Sequence, residues 1–267
     1  MDVADRVAAA CLATERIRAE VVEGGEVVEV DGLVVALSNL PAPELNGTRV
    51  AREPEDPARA LAAARAVFRS RGHSFFGIEI EVGRHPRVEE AIRGMGLERV
   101  EAWPAMAVEA IALPPSDEPD GVAIRRVTER DELSAVHAIE VATFGTPAPV
   151  AQGFVGRPML EDDRVRMFLA WDGDRPVGEA TAYVSDGTVG IFGVGVIPEA
   201  RRRGIGAALT LAAARAFPDR ADLAWLQPST MAASMYRRLG FETVSDWEVW
   251  TAPAQAAPSS ITRSPTG

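Results

Sequence analysis

An arginine- and glycine-rich turn stands between an apolar strand and an alanine-rich helix in the C-terminal half of the sequence. It reads Arg201-Arg202-Arg203-Gly204-Ile205-Gly206 and continues into Ala207. A helix N-terminus exposes unpaired N–H groups and about half a positive charge, so it attracts anions. Glycine lets an anion approach the amides closely, and arginine adds donors that match phosphate oxygens. The turn is therefore predicted to bind a pyrophosphate.

Two other phosphate-binding patterns do not fit this turn. All 28 basic residues are arginine, so the Gly-x-x-x-x-Gly-Lys-Ser/Thr loop cannot be formed. The dinucleotide fingerprint needs a third glycine three positions after Gly206, where the sequence has Leu209. A glycine-containing turn flanked by solvated arginines is the alternative interpretation.

Two segments together resemble a known superfamily. Arg201-x-x-Gly204-x-Gly206, after a strand and before a helix, resembles the acetyl-CoA signature of the GNAT superfamily of N-acetyltransferases. The segment from Ser229 to Phe241, with Tyr236 and a final Gly240-Phe241 pair, is similar to the second motif of that family. The resemblance covers about Val122 to Trp250. It implies an α/β (α+β) fold with a mixed central sheet flanked by helices, and acetyl-CoA as co-substrate without a metal.

The resemblance also implies the residues of the site. Main-chain groups of Val194 and Val196 would pair with the pantetheine arm. Ser229 belongs to the second cofactor-binding segment, and Tyr236 matches the general acid of the family. A phenol near the sulfur can protonate the departing thiolate, whereas the alternative for Tyr236 is a core position on a helix face. The pyrophosphate contacts would come from Arg201, Arg202, Arg203, Gly204, Ile205, Gly206 and Ala207.

The sequence does not identify a general base. Many family members place a glutamate on the strand before the turn, but Gly190–Val196 contains no ionisable side chain. Glu179 and Asp186 are candidates near the neighbouring strand, and both are expected at a solvated edge. A water relay, or an amine that arrives deprotonated, are the alternatives. His137 is expected to be a surface or satisfied core histidine, and no cluster with ligand spacing predicts a metal site.

A regular series of elements must position these residues. Hydrophobic periodicity and turn signals predict a helix beginning at Gly204 after the turn and a helix from Ser229 to Leu239 carrying Tyr236. The other predicted elements are strands at 122–127, 165–171, 177–185, 189–196, 223–227 and 242–251, and helices at 129–142, 149–160 and 204–217.

The two halves of the sequence resemble each other. Leu-Ala-Ala-Ala-Arg-Ala occurs at 61–66 and again at 211–216, a separation of 150 residues. A second similarity, between 93–100 with Trp103 and 237–244 with Trp247, has a separation of 144 residues. Agreement in order, spacing and residue type favours an ancient duplication. We therefore predict two GNAT-like domains, each with its own mixed sheet.

The first half has lost the features of a cofactor site. The repeat places 51–56 opposite the pyrophosphate turn, and this segment has three carboxylates and no glycine. Ile92 stands where the second half has Tyr236. We predict a degenerate domain without cofactor at 1–112, which packs against the second half and contributes one wall of the acceptor site; an unrelated α/β cap is the alternative.

Composition sets the remaining boundaries. Proline-rich residues 113–121 are predicted to be a linker, 122–252 the catalytic domain, and the Pro/Ser/Ala/Thr-rich residues 253–267 a disordered tail. Cys11 is the one cysteine, so no internal disulfide can form. The acidic N-terminus is unlike a signal peptide, and no apolar run approaches the roughly 20 residues that span a bilayer. We expect a cytoplasmic protein.

The net charge of −11 disfavours nucleic acid or an anionic membrane as a partner and favours a cationic acceptor. The arginine bias suggests a GC-rich bacterial genome. The leading hypothesis is an enzyme that acetylates a primary amine of a small molecule by direct attack in a ternary complex. The alternatives are a protein or peptide N-acetyltransferase, an enzyme similar to mycothiol synthase that acetylates a cysteinyl amine, and a non-catalytic acyl-CoA sensor. Acceptor, acyl length and the choice between monomer and homodimer stay open.

Overall fold

The computed structural model describes residues 1–115 and 119–252. The strands over these residues are β1 Glu26–Val30, β2 Leu33–Leu37, β3 Gly47–Val50, β4 Gly77–Glu81, β5 Glu98–Glu109, β6 Val122–Arg126, β7 Val165–Asp172, β8 Arg175–Ser185, β9 Thr188–Val196, β10 Leu223–Leu226 and β11 Glu242–Thr251. The α-helices are α1 Val3–Glu20, α2 Pro57–Ser70, α3 Pro86–Gly94, α4 Leu133–Phe144, α5 Ala148–Phe154, α6 Arg157–Glu161, α7 Ile205–Ala214 and α8 Ala233–Arg238.

The strands form one mixed sheet in the order β1-β2-β3-β4-β11-β5-β10-β9-β8-β7-β6. Two neighbouring pairs, β3–β4 and β9–β10, are parallel, and the remaining pairs are antiparallel. Helix α2 connects the first parallel pair and α7 the second, as expected for a parallel crossover. The mixed α/β fold predicted from the sequence is confirmed, with the two expected sheets joined edge to edge into one.

The two halves exchange their last strands. Strand β5, from the first half, pairs with β10 of the second half. Strand β11, from the second half, pairs with β4 of the first half. Accordingly, Met106 and Val108 of β5 are buried in the large core of the second half, and Trp250 of β11 packs against the core of the first half. Each half therefore completes the sheet of the other.

The first half also covers one face of the second. Ile17 and Val21, at the end of α1 and just beyond it, belong to the hydrophobic core that is otherwise built from residues 106–241. The helix packs across β8 and β9. One face of these two strands is thus shielded from solvent by a helix that begins near the N-terminus, and this cover shapes the cavity described below.

Most predicted elements of the second half are present, with shifted ends. The helix expected at 149–160 is two short helices, α5 and α6, because Gly156 and Pro158 interrupt it. The helix expected at 229–239 begins at Ala233, after a turn at 230–232. The boundaries proposed from composition remain predictions; residues 116–118 of the linker and the whole tail at 253–267 lie outside the described residues.

Candidate active site

The arginine- and glycine-rich turn forms an open helix N-terminus. Gly204 is the N-cap of α7 with φ of 82°, a left-handed conformation that glycine adopts without strain, and no side chain caps the helix. Within the described chain, the amides of Ile205, Gly206 and Ala207 donate to no backbone carbonyl, and the first such bond of this helix runs from Ala208 to Gly204. Three N–H groups are thus available to an anion.

The three arginines of the turn are exposed but differ in their contacts. Arg201 Nε donates to the carbonyl of Val196 at 3.0 Å. Arg203 forms an ion pair with Asp172 of the β7–β8 hairpin, which raises the pKa of Arg203. Arg202 adopts a left-handed backbone with φ of 63°, an uncommon conformation for a residue with a Cβ. Such strain is common at ligand-binding loops, and it places Arg202 at the tip of the turn.

The equivalent helix of the first half is closed to anions. Asp56 is the N-cap of α2, and its carboxylate accepts from the amide of Arg59 at 3.0 Å. Pro57, the first helical residue, has no N–H to offer. The negative charge of the cap would repel a phosphate at the position where Gly204 admits one.

Strands β9 and β10 separate just before the turn. They pair only from Thr188 to Gly190 on β9, so the rest of β9 has an unpaired edge toward β10. Gly193 has φ of 59° and shares with Val194 the position opposite Ala180, which is a β-bulge. Because Val194 and Val196 are two residues apart, their main-chain groups point to the same side. The strand therefore presents free hydrogen-bonding groups to an extended ligand.

Tyr236 lies on α8 beside the first turns of α7. Its side chain is 6% exposed and packs edge-on against Phe241. Burial raises the pKa of Tyr236 to about 12, and a hydrogen bond with Thr210 of α7 partly opposes that shift. Thr210 in turn donates to the carbonyl of Gly206 at 2.7 Å. The phenol is therefore connected to the pyrophosphate turn and stays protonated at neutral pH.

Ser229 is half-buried in the loop between β10 and α8. Its carbonyl accepts from the amides of Ala232 and Ala233, so it sets the turn that leads into α8. Met235 of that helix lies 3.5 Å from the point where a Cβ on Gly206 would stand, which shows that α8 packs directly on the first turn of α7. The structure thus brings the two sequence motifs together around one helix N-terminus.

A cavity of about 180 Å³ opens beside the bulge of β9. It is lined by residues of both halves. The second half contributes Glu140, Phe144, Thr146, Val150, Phe154, Val155, Glu179, Thr181, Tyr183, Phe192 and Gly193, and the first half contributes Arg18 and Leu45. We call this space the acceptor cavity. That the first half supplies part of its wall was a possibility in the sequence, and the structure places the two residues there.

Glu179 is not at a solvated edge, as the sequence suggested. It is 4% exposed and points into the acceptor cavity. Burial and the neighbouring carboxyl of Glu140, with which it shares a hydrogen bond, raise the pKa of Glu179 well above its usual value. Thr146 donates to Glu140 at 2.8 Å, which favours the ionised form of Glu140. Asp186, the other candidate, is exposed at the β8–β9 turn.

Sequence reasoning missed Glu140 and Arg18. Glu140 follows the buried Val136 and Ile139 on α4 and so belongs to the helix face that meets the sheet, a signal available from periodicity. Arg18 is far from the motifs in sequence, and only the packing of α1 brings it to the cavity. There its guanidinium lies 5.1 Å from the centroid of the Phe192 ring.

Other ionisable groups have structural roles. A ring nitrogen of His137 is 2.7 Å from the carbonyl of Val155, as expected for a satisfied histidine. In the part of the chain that the structure describes, no three His, Cys, Asp or Glu side chains cluster as a metal site would require. None of the helices at 1–115 or 119–252 combines the length and apolar character needed to cross a membrane.

Comparison with known proteins agrees with this geometry. Residues 133–241 match the family model described as the acetyltransferase (GNAT) family. No curated protein matches the chain. A GCN5-related N-acetyltransferase from Kribbella flavida is similar over 95% of this chain and 97% of its own, with 27% identity and a TM-score of 0.76.

Two more distant structures share the fold. A tandem GNAT protein from the clavulanic acid biosynthesis pathway has 18% identity and a TM-score of 0.61, over 84% of this chain and 80% of its own. A GCN5-related N-acetyltransferase from Sphaerobacter thermophilus has 17% identity and a TM-score of 0.63, over 87% and 84%. The segment 133–241 of this chain is a GNAT acetyltransferase domain, the fold of a family that transfers an acyl group from acyl-CoA.

Proposed function

We propose that this protein acetylates a primary amine of a small molecule, with acetyl-CoA as the acyl donor and direct attack of the amine in a ternary complex. One observation carries the proposal. The unpaired edge of β9 connects the open N-terminus of α7 to the acceptor cavity, with the bulge at Gly193 where the two meet. A donor held along this edge would present its acyl group to an amine in the cavity.

The residues of the turn suit acetyl-CoA. The free amides of Ile205, Gly206 and Ala207 and the exposed guanidinium of Arg202 are the groups that a pyrophosphate requires. Val194 and Val196 would hold the pantetheine amides through their main chain, while Arg201, Arg203, Gly204 and Ser229 shape or complete the turn. Acetyl-CoA supplies an activated acyl group in the form of a thioester.

Tyr236 is proposed as the general acid. Its hydroxyl is protonated at neutral pH because burial raises its pKa to about 12, so it has a proton to donate. A thiol with a pKa near ~8.5 is a moderately good leaving group, so the acid contributes toward the low end of the usual ~10²- to 10⁴-fold range. The carboxyl pair of Glu140 and Glu179 is proposed as the base, in place of the strand glutamate that β9 lacks.

The size of the cavity supports a small acceptor over a protein substrate. Its volume of about 180 Å³ is below the roughly 300–1,000 Å³ of drug-sized ligand pockets. The first half, 1–112, is proposed to be a domain without cofactor, joined by the linker 113–121 to the catalytic domain 122–252, because the Asp56 cap and Pro57 close its equivalent helix.

Calorimetry and thiol release test the proposal together. We expect acetyl-CoA to bind in the micromolar range at one site per chain, and thiol release to depend on an added amine. Two sites would contradict the loss of the site in the first half, and no binding would contradict the cofactor assignment. Binding without thiol release across a broad amine panel would favour the non-catalytic sensor.

A further inference from the structure

We propose that the acceptor is a primary amine that also carries a carboxylate, with its ammonium group held by Glu140 and Glu179 and its carboxylate by Arg18 and Tyr183. This inference rests on the proposed function and names the substrate class of the same site. The evidence comes from the two ends of the acceptor cavity.

The first end of the cavity is acidic and incompletely satisfied. Glu179 Oε1 is buried and has no hydrogen-bond partner among the described residues. Leaving a buried polar atom without a partner costs roughly 1–3 kcal/mol, so its persistence in a cavity wall points to a ligand donor. The Glu140–Glu179 pair holds one proton between two carboxyl groups and so keeps a single negative charge. An ammonium group supplies both the missing donor and the opposite charge.

The second end of the cavity presents donors. Tyr183 is completely buried, and its hydroxyl also has no hydrogen-bond partner among the described residues. Arg18 lies beside it, and the positive charge of Arg18 opposes the burial that raises the pKa of Tyr183 to about 12. A neutral phenol and a guanidinium next to each other form a site that suits a carboxylate oxygen.

The partners of Arg18 leave room for a second anion. Its Nη1 is 3.4 Å from Glu15 Oε2, a long contact, and the same oxygen is 3.5 Å from Arg49 Nη2. Arg49 is bound more closely by Glu79, at 2.7 Å. Glu15 therefore divides its charge between two arginines, and the guanidinium of Arg18 keeps attraction for an anion in the cavity.

The separation of the two ends sets the shape of the acceptor. Glu179, Thr181 and Tyr183 alternate along β8, so all three face the cavity. The Cα atoms of Glu179 and Tyr183 are about 13 Å apart at a strand rise of ~3.3 Å per residue. After allowing for the side chains, the amine and carboxylate must be several bonds apart, as in an ω-amino acid, and not on one carbon.

The proton balance of the reaction agrees with this arrangement. The acceptor enters as an ammonium ion and gives one proton to the Glu140–Glu179 pair, which becomes fully protonated and later releases it to solvent. The neutral amine forms the new C–N bond as the C–S bond breaks. Tyr236 gives its proton to the leaving thiolate and recovers one from the amide nitrogen. The sum is amide, thiol and one proton released.

Matched pairs of acceptors test the inference. Purified full-length protein is assayed with acetyl-CoA and 4-aminobutyrate, 5-aminopentanoate or 6-aminohexanoate, each against the alkylamine of equal length without a carboxylate. We expect kcat/KM about tenfold to a hundredfold higher for at least one carboxylated member, the equivalent of one charge-assisted contact. Binding of the same amines is measured by calorimetry in the presence of CoA, so the result does not depend on turnover.

Variants on α1 assign the effect to Arg18. In Arg18→Met the preference for the carboxylated acceptor should disappear, through loss of its kcat/KM with little change for the alkylamine. Arg18→Lys retains charge and should retain part of the preference. Arg16→Met is the matched control, because Arg16 is on the same helix but pairs with Glu29 outside the cavity. Equal thermal midpoints show that the variants are folded.

The outcomes separate this inference from the proposed function. Turnover of alkylamines at rates equal to their carboxylated partners would overturn the inference and leave the acetyltransferase intact. Binding of a carboxylated amine in an Arg18-dependent way without turnover would support the inference and contradict the enzyme. If no carboxylated amine binds or reacts, or if Arg18→Met retains the preference, the inference is wrong.

Discussion

Trp103 and Trp247 face each other across the antiparallel ladder between β5 and β11. They are also the two tryptophans that the internal repeat relates, 144 residues apart. The ladder has two irregularities, which leave Val100 and Val244 outside the register, and these two residues are again 144 apart. A pseudo-two-fold axis therefore passes through this pair of strands, which supports the duplication inferred from the sequence.

The exchange of β5 and β11 predicts that neither half folds alone. Residues 1–115 without β11, or 119–252 without β5, would each expose an unpaired strand edge and apolar residues that the other half covers. We expect each fragment alone to aggregate or to associate with itself, and the two fragments produced together to form a stable complex. Size-exclusion chromatography with circular dichroism measures this. A monomeric, folded fragment 119–252 would contradict the mutual completion of the sheet.

Gly204→Glu should abolish acetyl-CoA binding and leave the fold intact. The new carboxylate would occupy the place of the anion at an exposed turn. Calorimetry of the folded variant measures the affinity.

The control is Gly72→Glu, because Gly72 also has a left-handed backbone, with φ of 80° and nothing within 4 Å of a new Cβ, but lies in the first half. It carries the same strain and charge as the test variant, so it should retain cofactor affinity. Equal affinity in both variants would remove the turn from the cofactor site.

Tyr236→Phe should lower the turnover rate about tenfold to a thousandfold and leave cofactor affinity nearly unchanged, because only one hydroxyl is lost. The loss should be smaller at high pH, where the thiolate leaves unaided. Turnover and thermal midpoint are measured on one preparation. A lowered midpoint with an unaltered rate would assign Tyr236 a core role, worth about 1 kcal/mol for the lost hydrogen bond.

Glu179→Gln should change the pH dependence of stability. The pKa of Glu179 is raised, so its proton stabilises the folded state below the ordinary pKa of 4.5, and that contribution is lost as pH rises through the folded-state pKa. Glutamine does not ionise, so the thermal midpoint of the variant should fall less than that of the wild type between about pH 4 and about pH 9. Thermal unfolding across this range measures the difference.

The same substitution tests catalysis. If the carboxyl pair is the base, Glu179→Gln should lower kcat/KM by about 10²- to 10⁴-fold. Asp186→Asn is the matched control, because Asp186 is exposed on the adjoining turn with φ of 45°, which asparagine tolerates. It should leave activity unchanged. A normal rate in Glu179→Gln would exclude this residue as the base.

The local features of the site could be predicted from the sequence, because they depend on neighbouring residues. The turn at 201–207 has a strand before it and a helix after it, and the order of elements follows from periodicity and turn residues. Glu179 was misjudged for a physical reason. Its alternation with Thr181 and Tyr183 is typical of a strand face in water, and the cover provided by α1 depends on tertiary packing that no local pattern shows.

The strand exchange was also hidden from the sequence. Strands β5 and β11 derive from the same repeat, so the hydrophobic pattern of each suits either sheet, and only the whole fold determines which neighbour it takes. Arg18 and Glu140 were missed for a similar reason. They lie far from the motifs along the chain, and a single sequence gives no indication that α1 and α4 converge on one cavity.

The placement of Arg18 on α1 has an evolutionary consequence. The cofactor turn lies wholly in the second half, whereas Arg18 and Leu45 of the acceptor cavity come from the first. Substitutions in the first half can therefore alter which amine is accepted without disturbing the donor site. A duplicated copy that lost its own chemistry would in this way be retained as the selectivity element of its twin, free to diverge while the catalytic copy is conserved.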